Sequence, residues 1–459
     1  MEYRMKFYNR ELEIKRIKEI AQKGKEKSQM TIILGRRRIG KTRLIFEAFK
    51  GEKFLYFFVS KTSDYLLSQE FLNEINSKLD IPVYSGVRSS KEILRILMNF
   101  AERNPITVVF DEFQNYQYVN PAIFSELQNL WDQKKQATKC NLILMGSLAT
   151  MMDKIFKDQK EPLFGRADHQ LTVLPFALDT VAEVLRDYHI YSEDSLLDYM
   201  VFTGGVPKYL ELVTEIKKKD FFDFLEAILF KDSLIINEGK VSLIEEFGKN
   251  YSVYFALLQL ISTGKTKRSE LLASLPDVKE LGGYLNNLIE NFGLVKKNSP
   301  LLAPEKGKNI KYQLDDYFYS FWFRFLSRNQ SAVEAENFQY IKEKIRQEWP
   351  IHKGSQFEKV IRNHLKTLSR FNIIGSYWDR RGENEIDVAA VNDMERVLLL
   401  GECKLNVKKV DIEQLKRKSA AIINNYKDYQ VYYRGFYPGM LSCFLESPLA
   451  YLFSRKIDV

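Results

Sequence analysis

Residues 30–50 read MTIILGRRRIGKTRLIFEAFK, an apolar strand-like run, a loop bracketed by glycines, a Lys-Thr pair and a helix-like segment. This order restricts the chain more than any other feature. The pattern G-x-x-x-x-G-K-[ST] carries chemistry when a strand precedes it and a helix follows, and both are present. Glycines let consecutive backbone N–H groups wrap a β-phosphate. Lys41 can neutralise β/γ charge, Thr42 can ligate Mg²⁺, and the following helix offers its positive end. The candidate ATP-binding residues are Gly35, Arg36, Arg37, Arg38, Ile39, Gly40, Lys41, Thr42 and Arg43.

ITVVFDEFQ (residues 106–114) supplies the partner, an apolar strand ending in two carboxylates. Asp111 is the candidate for the Mg²⁺ shell and Glu112 for polarising an attacking water. NLILMG ends at Gly146, and Ser147 beyond it either senses the γ-phosphate or caps the next helix. Arg166, with Arg37 and Arg38, either neutralises transition-state charge or forms ordinary ion pairs.

Further strand-like runs, at 54–59 and 171–174, join those at 30–34, 106–110 and 141–145, separated by helix-length segments. Such a series suits a buried parallel sheet. The expected organisation is multidomain α/β: a P-loop core over 1–175, a helical lid over 176–245, a winged helix over 246–312, an aromatic-rich helical linker over 313–353 and an α/β domain over 354–459. The winged helix is read from short helices at about 251–262, 267–274 and 279–292 followed by two strands that could pair. The aromatic stretch YQLDDYFYSFWFRFL (312–326) is expected to pack between domains.

With 459 residues the chain can bury several cores, and its hydrophobic content of 45% is ordinary. No apolar run approaches the ~18 residues that span a bilayer, and the first twenty residues lack an apolar targeting core, so a cytoplasmic protein without membrane partners is expected. Cys140, Cys403 and Cys443 are far apart, as are the four histidines, which argues against a disulfide framework, a zinc site or a histidine-based metallohydrolase.

FYNRELEIKRI, GRRRIGKT, FDEFQ, LMGS, PLFGRA and TGGVPKYL together resemble the archaeal and bacterial ATPases of the MNS clade of STAND P-loop NTPases, relatives of AAA+ proteins. The resemblance covers about residues 5–230. It implies a nucleotide-dependent switch core with the strand order of ASCE ATPases, Asn9 and Arg10 near the nucleotide, and a helix opening at Pro207 that reports nucleotide state. Chemically, Gly204 and Gly205 permit close approach and Pro207 suits a first helical position; a plain turn is the alternative.

Near the C-terminus, Glu358 lies on an amphipathic helix, Asp387 on the strand NEIDVAAV, and Glu402 and Lys404 on VLLLGECKL. Positions i and i+2 of a strand share a face, so Glu402 and Lys404 point one way and Cys403 the other, into the core. Asp387 and Glu402 could ligate Mg²⁺, Glu358 could complete the shell, and Lys404 could orient a water for phosphodiester hydrolysis. Gln414 and Lys416–Lys418 follow on a basic helix. The series resembles the PD-(D/E)XK restriction-endonuclease-like superfamily, with Ile386 standing where a proline would precede the aspartate. Residues 312–459 resemble the C-terminal domain attached to such ATPases.

The net charge of +9 is concentrated: residues 261–311 carry nine Lys/Arg against five Asp/Glu, and residues 351–459 carry eighteen against thirteen. Contact with a phosphate backbone would produce this, as would a solvated lysine-rich surface. In the wing, Lys296, Lys297, Lys306, Lys308 and Lys311 are the expected DNA contacts. The function expected is an ATP-binding and hydrolysing, DNA-associated protein whose nucleotide state controls a Mg²⁺-dependent nuclease-like domain. The alternative is a STAND-type regulatory switch or transcription regulator with a non-cleaving C-terminal domain that binds nucleic acid or a protein. A homo-oligomer or a protein partner is compatible with either.

Overall fold

The computed structural model describes residues 5–79, 86–147, 149–247, 251–301, 310–379 and 383–454. Lys306 and Lys308 of the expected wing lie outside them. The chain forms two compact units: Asn9–Pro175, and the segment ending at Tyr8 together with the chain from Phe176 onward.

The first unit is built on five parallel strands, β1 (Gln29–Leu34), β2 (Leu55–Phe58), β3 (Ile106–Asp111), β4 (Cys140–Gly146) and β5 (His169–Thr172). Their order is β2-β3-β4-β1-β5. All seven residues of β4 are buried, and at about 1.5–3 kcal/mol for each large apolar side chain the energetic gain is greatest at an interior position. β4 accordingly lies between β1, which leads into the glycine loop, and β3, which ends in Asp111. β5 starts two residues earlier than its apolar run, because Thr31 to Leu34 of β1 pair with His169 to Thr172.

The second unit opens with helices Leu178–Asp187, Glu193–Thr203, Pro207–Ile216, Phe221–Ile228 and Leu234–Phe247. Gly204 and Gly205 both have positive φ, and a Cβ on Gly205 would stand 2.0 Å from the Phe176 carbonyl oxygen. Only glycine fits there. Pro207 is the first residue of its helix, where its missing N–H costs no hydrogen bond. At the start of the chain, Tyr8 donates to Asp187 at 2.9 Å, and Lys6 pairs with the same carboxylate at 3.0 Å.

Helices Tyr251–Ser262, Arg268–Ala273 and Gly282–Asn286, the last continuing as a wide turn to Asn291, precede the antiparallel hairpin of β6 (Val295–Asn298) and β7 (Lys311–Leu314). The aromatic stretch after β7 packs inward. Phe318 stacks on Tyr209 at 4.1 Å between ring centres, Phe323 meets Phe255 at 5.0 Å, and the Trp322 indole N–H donates to the Ile236 carbonyl at 2.9 Å. These rings join the helices following Phe176 to the helix beginning at Tyr251.

The helix Phe338–Thr367 contains Pro350 and runs through residues 353 and 354, where a boundary between linker and last domain was expected. Its buried residues Ile345, Trp349, Phe357 and Ile361 carry one apolar side across that point. Beyond it come β8 (Ile373–Trp378), β9 (Glu385–Asn392), β10 (Val397–Cys403), helices Ile412–Lys418 and Ala420–Ile423, and β11 (Gln430–Phe436). The sheet order is β11-β10-β9-β8; β8, β9 and β10 are antiparallel neighbours and β11 runs parallel to β10. Among the described residues, no helix is long and apolar enough to cross a membrane.

His352 is buried against the rings of Phe325 and Trp349. Burial first, then the charges of Arg324 and Lys359, lower its pKa to about 3. It stays neutral in the fold while an unfolded chain binds a proton below about pH 6.5. Its contribution is therefore complete above that pH and is lost as pH falls toward 3, by up to about 1.4 kcal/mol per pH unit. The variant His352→Phe is expected to show a correspondingly shallower acid dependence of unfolding free energy in urea titrations between pH 8 and 5; parallel slopes would contradict this.

Candidate nucleotide and carboxylate sites

The glycine loop joins β1 to the helix Lys41–Ala48. Gly35 leaves the strand against the Val173 carbonyl, where a Cβ would approach to 2.9 Å. Arg38 and Gly40 have φ of 69° and 89°, which turns the loop back onto the helix. The ammonium of Lys41, 6% exposed, donates to the carbonyls of Gly35 at 2.8 Å and Arg36 at 3.2 Å. Ile39 is buried, Arg36, Arg38 and Arg43 are half-buried, and Arg37 is exposed.

Asp111 closes the other side. Its Oδ2 accepts from the Thr42 hydroxyl and from the Tyr56 phenol, each at 2.7 Å, while Oδ1 accepts from the Glu112 N–H at 2.9 Å. Burial first, and then the charge of Asp111, raise the Tyr56 pKa far above the ordinary phenol value, so Tyr56 remains a donor. Glu112 has φ of 55°; Ser147 donates to its Oε2 at 2.7 Å, and the Gln114 amide donates to the same oxygen. Ser147 thus touches the carboxylate expected to handle water. Gly146 permits this, since a Cβ there would come within 2.7 Å of Gln114 Oε1.

Arg10 is buried at the start of the first helix, donating to the Leu174 carbonyl at 2.6 Å and to Glu13 at 3.0 Å. Leu174 follows the residue that backs Gly35. Arg10 thereby braces the base of the loop, and Asn9 beside it is exposed with φ of 39°. The hydrogen bonds of Arg166 go to the Phe164 carbonyl and to Asp132, at 2.8 and 3.2 Å, rather than to the Asp111–Glu112 cluster. Pro207 belongs to the other unit. Tyr56 and Gln114 escaped sequence reasoning; a single polar-tipped residue in the apolar strand LYFF was the available signal for the former.

A second carboxylate pair lies at the ends of β9 and β10. Val388 pairs with Gly401, which brings Asp387 beside Glu402. The Cys403 N–H donates to Asp387 at 2.8 Å and the Asp411 N–H to Glu402 at 2.9 Å. Lys404 Nζ is 3.2 Å from Glu402 and 3.9 Å from Asp387. Burial raises the Asp387 pKa, opposed by the Cys403 N–H and Lys404. Burial pulls Lys404 down, but the charges of Asp387 and Glu402 outweigh it and its pKa is raised. Cys403 is buried.

Glu358, on the helix Phe338–Thr367, stands close enough to the pair to feel the charge of Asp387. Its carboxylate is 3.4 Å from Arg362, which also donates to the Asp387 backbone carbonyl. Burial and the charge of Asp387 raise the Glu358 pKa to about 7. Among the described residues, no three His, Cys, Asp or Glu side chains converge to hold a metal ion. The pair Asp387–Glu402 still fits Mg²⁺, which commonly takes one or two carboxylates and completes its shell with water and phosphate oxygens. Thr42 and Asp111 fit it likewise. Gln414 is exposed, and Lys416 is paired with Glu413 at 2.7 Å.

A glycine loop after an interior parallel strand, with a buried aspartate two strands away meeting its threonine, defines a P-loop ATPase core. Residues 7–213 match an ATPase domain found predominantly in Archaea. Residues 322–417 match a domain described from archaeal and bacterial proteins of unknown function. Two stretches of the chain are thus each similar to a known domain, the first to an ATPase domain and the second to one of unknown function. It is 29% identical over 442 residues to an uncharacterized protein of Methanocaldococcus jannaschii, covering 93% of this chain and 94% of the relative. The fold is similar to the Walker-type ATPase of Pyrococcus abyssi, with a TM-score of 0.54 and 20% identity, over 69% of this chain and 96% of that one. The ORC2 protein of Aeropyrum pernix, solved as ADPNP–ADP complexes, aligns over 72% of this chain and 96% of its own with a TM-score of 0.47 and 15% identity.

Removing the phenol of Tyr56 takes one donor from a buried carboxylate, a change of about 1.5 kcal/mol or more. The variant Tyr56→Phe is expected to hydrolyse ATP about tenfold more slowly with an unaltered circular dichroism spectrum. Wild-type turnover would show that this hydrogen bond does not position Asp111.

Proposed function

We propose that the chain is an ATP-hydrolysing, DNA-associated switch of the cytoplasm, related to the MNS clade of STAND NTPases, whose nucleotide state controls Mg²⁺-dependent cleavage by its C-terminal domain. In the nucleotide site, loop N–H groups and Lys41 bind the phosphates, Thr42 and Asp111 hold Mg²⁺, and Glu112, braced by Ser147 and Gln114, orients the attacking water. Asn9 and Arg10 border the nucleotide, and the helix opening at Pro207 responds to its state. Mg²⁺ supplies charge neutralisation at phosphoryl or phosphodiester oxygens when bound.

The observation that carries the nuclease reading is the meeting of Asp387, Glu402 and Lys404 at the ends of two paired strands. Two partly desolvated carboxylates with a lysine between them match the demand of phosphodiester hydrolysis for oxygen ligands and a positioned hydroxide. The order helix, three antiparallel strands, helix and parallel strand agrees with the superfamily that the motif resembles. Lys296, Lys297 and Lys311 on the hairpin supply backbone contacts for DNA.

A second reading, a regulatory switch or transcription regulator that cuts nothing, is favoured by one observation: Glu358 is paired with Arg362, and among the described residues no three acidic side chains converge to hold a metal ion. The experiment is incubation of linear and supercoiled DNA with Mg²⁺ or Mn²⁺ and no nucleotide, ATP or ADP. Divalent-dependent cutting is expected, falling at least a hundredfold in Asp387→Ala and losing its nucleotide dependence in Lys41→Ala. Intact DNA in every condition, with ATP still hydrolysed, would leave the non-cleaving reading. Cleavage unchanged in a Lys41→Ala variant that no longer binds nucleotide would overturn the coupling.

A further inference from the structure

Within the second unit, the β6–β7 hairpin, the helix Phe338–Thr367 and β8 enclose a cavity of about 190 Å³. Lys296 and Lys297 line it from the hairpin, and Lys359, Arg362 and Lys366 from the helix. Asp315 is the sole acidic residue of the lining and lies 3.2 Å from Lys359. Arg362 is paired with Glu358 at 3.4 Å, so three cations of the lining, Lys296, Lys297 and Lys366, stand beyond the paired ones. Lys366 donates to Asn363 Oδ1 at 3.3 Å, a neutral partner that leaves its charge uncompensated.

Like charges are gathered here at a cost. Burial, with the charge of Lys296 adding to it, lowers the pKa of Lys366 to about 8. A surface that merely aided solubility would spread such charges apart. A multiply charged anion would relieve the repulsion and restore full protonation, whereas a monocarboxylate would neutralise one cation only. The space is many times the ~10–15 Å³ that one water needs on the same measure, which leaves room for a phosphate.

We propose that this cavity is a phosphate-binding site, seating either free phosphate or a phosphate of a nucleic-acid strand between the wing and the long helix. Arg362 lines the cavity and also donates to the Asp387 carbonyl. A strand phosphate seated here would therefore lie on the approach to the Asp387–Glu402 pair, a clause that rests on the nuclease reading; the phosphate site itself does not.

The test is residue-resolved trace acetylation of the full chain at pH 8, read by mass spectrometry at Lys296, Lys359 and Lys366, with exposed Lys217 as reference. The additions are inorganic phosphate, a 5′-phosphorylated single-stranded DNA 12-mer, and an uncharged methylphosphonate 12-mer. At least threefold protection of Lys359 and Lys366 by phosphate and by DNA, and none by the uncharged strand, is expected. Protection by phosphate alone would support the site and identify free phosphate as its ligand. No protection, or equal protection by the uncharged strand, would overturn it. In fluorescence anisotropy, Lys296→Ala/Lys366→Ala is expected to weaken DNA binding about tenfold and to lower the salt slope by about one; wild-type affinity and slope would overturn a strand phosphate as the ligand. Protection retained in Asp387→Ala, with wild-type DNA left uncut, would refute cleavage while leaving the phosphate site standing.

Discussion

A carboxylate at the end of a buried strand needs donors, and the ATPase unit is arranged around meeting that need at Asp111. With 3% of its surface exposed, it is served by the Thr42 hydroxyl, the Tyr56 phenol and the Glu112 N–H. The partners come from the glycine loop, from β2 and from the turn leaving β3. Strand order, loop conformation and the left-handed backbone at Glu112 therefore depend on one another. An unpaired carboxylate at this depth would cost several kcal/mol, comparable with a large part of a domain's stability.

The C-terminal domain solves a similar problem differently. Asp387 and Glu402 each accept one backbone N–H, and a lysine two residues along the chain pairs with both. Both sites use backbone amides, but in the ATPase unit the side-chain donors are neutral hydroxyls, whereas here a cation takes their place. A lysine shared by two carboxylates can leave one of them for a phosphate oxygen without stranding either, because each retains its backbone donor.

Much of this was legible in local sequence because the relevant signals are local. The loop from Gly35 to Thr42, the strand ending at Asp111 and the paired positions Glu402 and Lys404 are each set by a few consecutive residues and a strand period of two. What was not legible depends on long-range contact. Tyr56 reaches Asp111 across neighbouring strands, Ser147 reaches Glu112 from beyond the end of β4, and Arg362 on its helix meets the Asp387 carbonyl. The continuous helix Phe338–Thr367 was missed for another reason: Pro350 and Gly354 resemble punctuation, while the apolar side chains that carry the helix across them find their partners far away in sequence.

The chain enters the ATPase unit after Tyr8 and leaves it at Pro175. In topological terms the nucleotide-binding core is an insertion, with both of its ends committed to the same host body. The segment before the insertion is held by Tyr8 and Lys6 on Asp187, so a fragment beginning at Phe176 would present that carboxylate without either partner. The host body can be isolated whole only by closing the gap between Tyr8 and Phe176, not by cutting once.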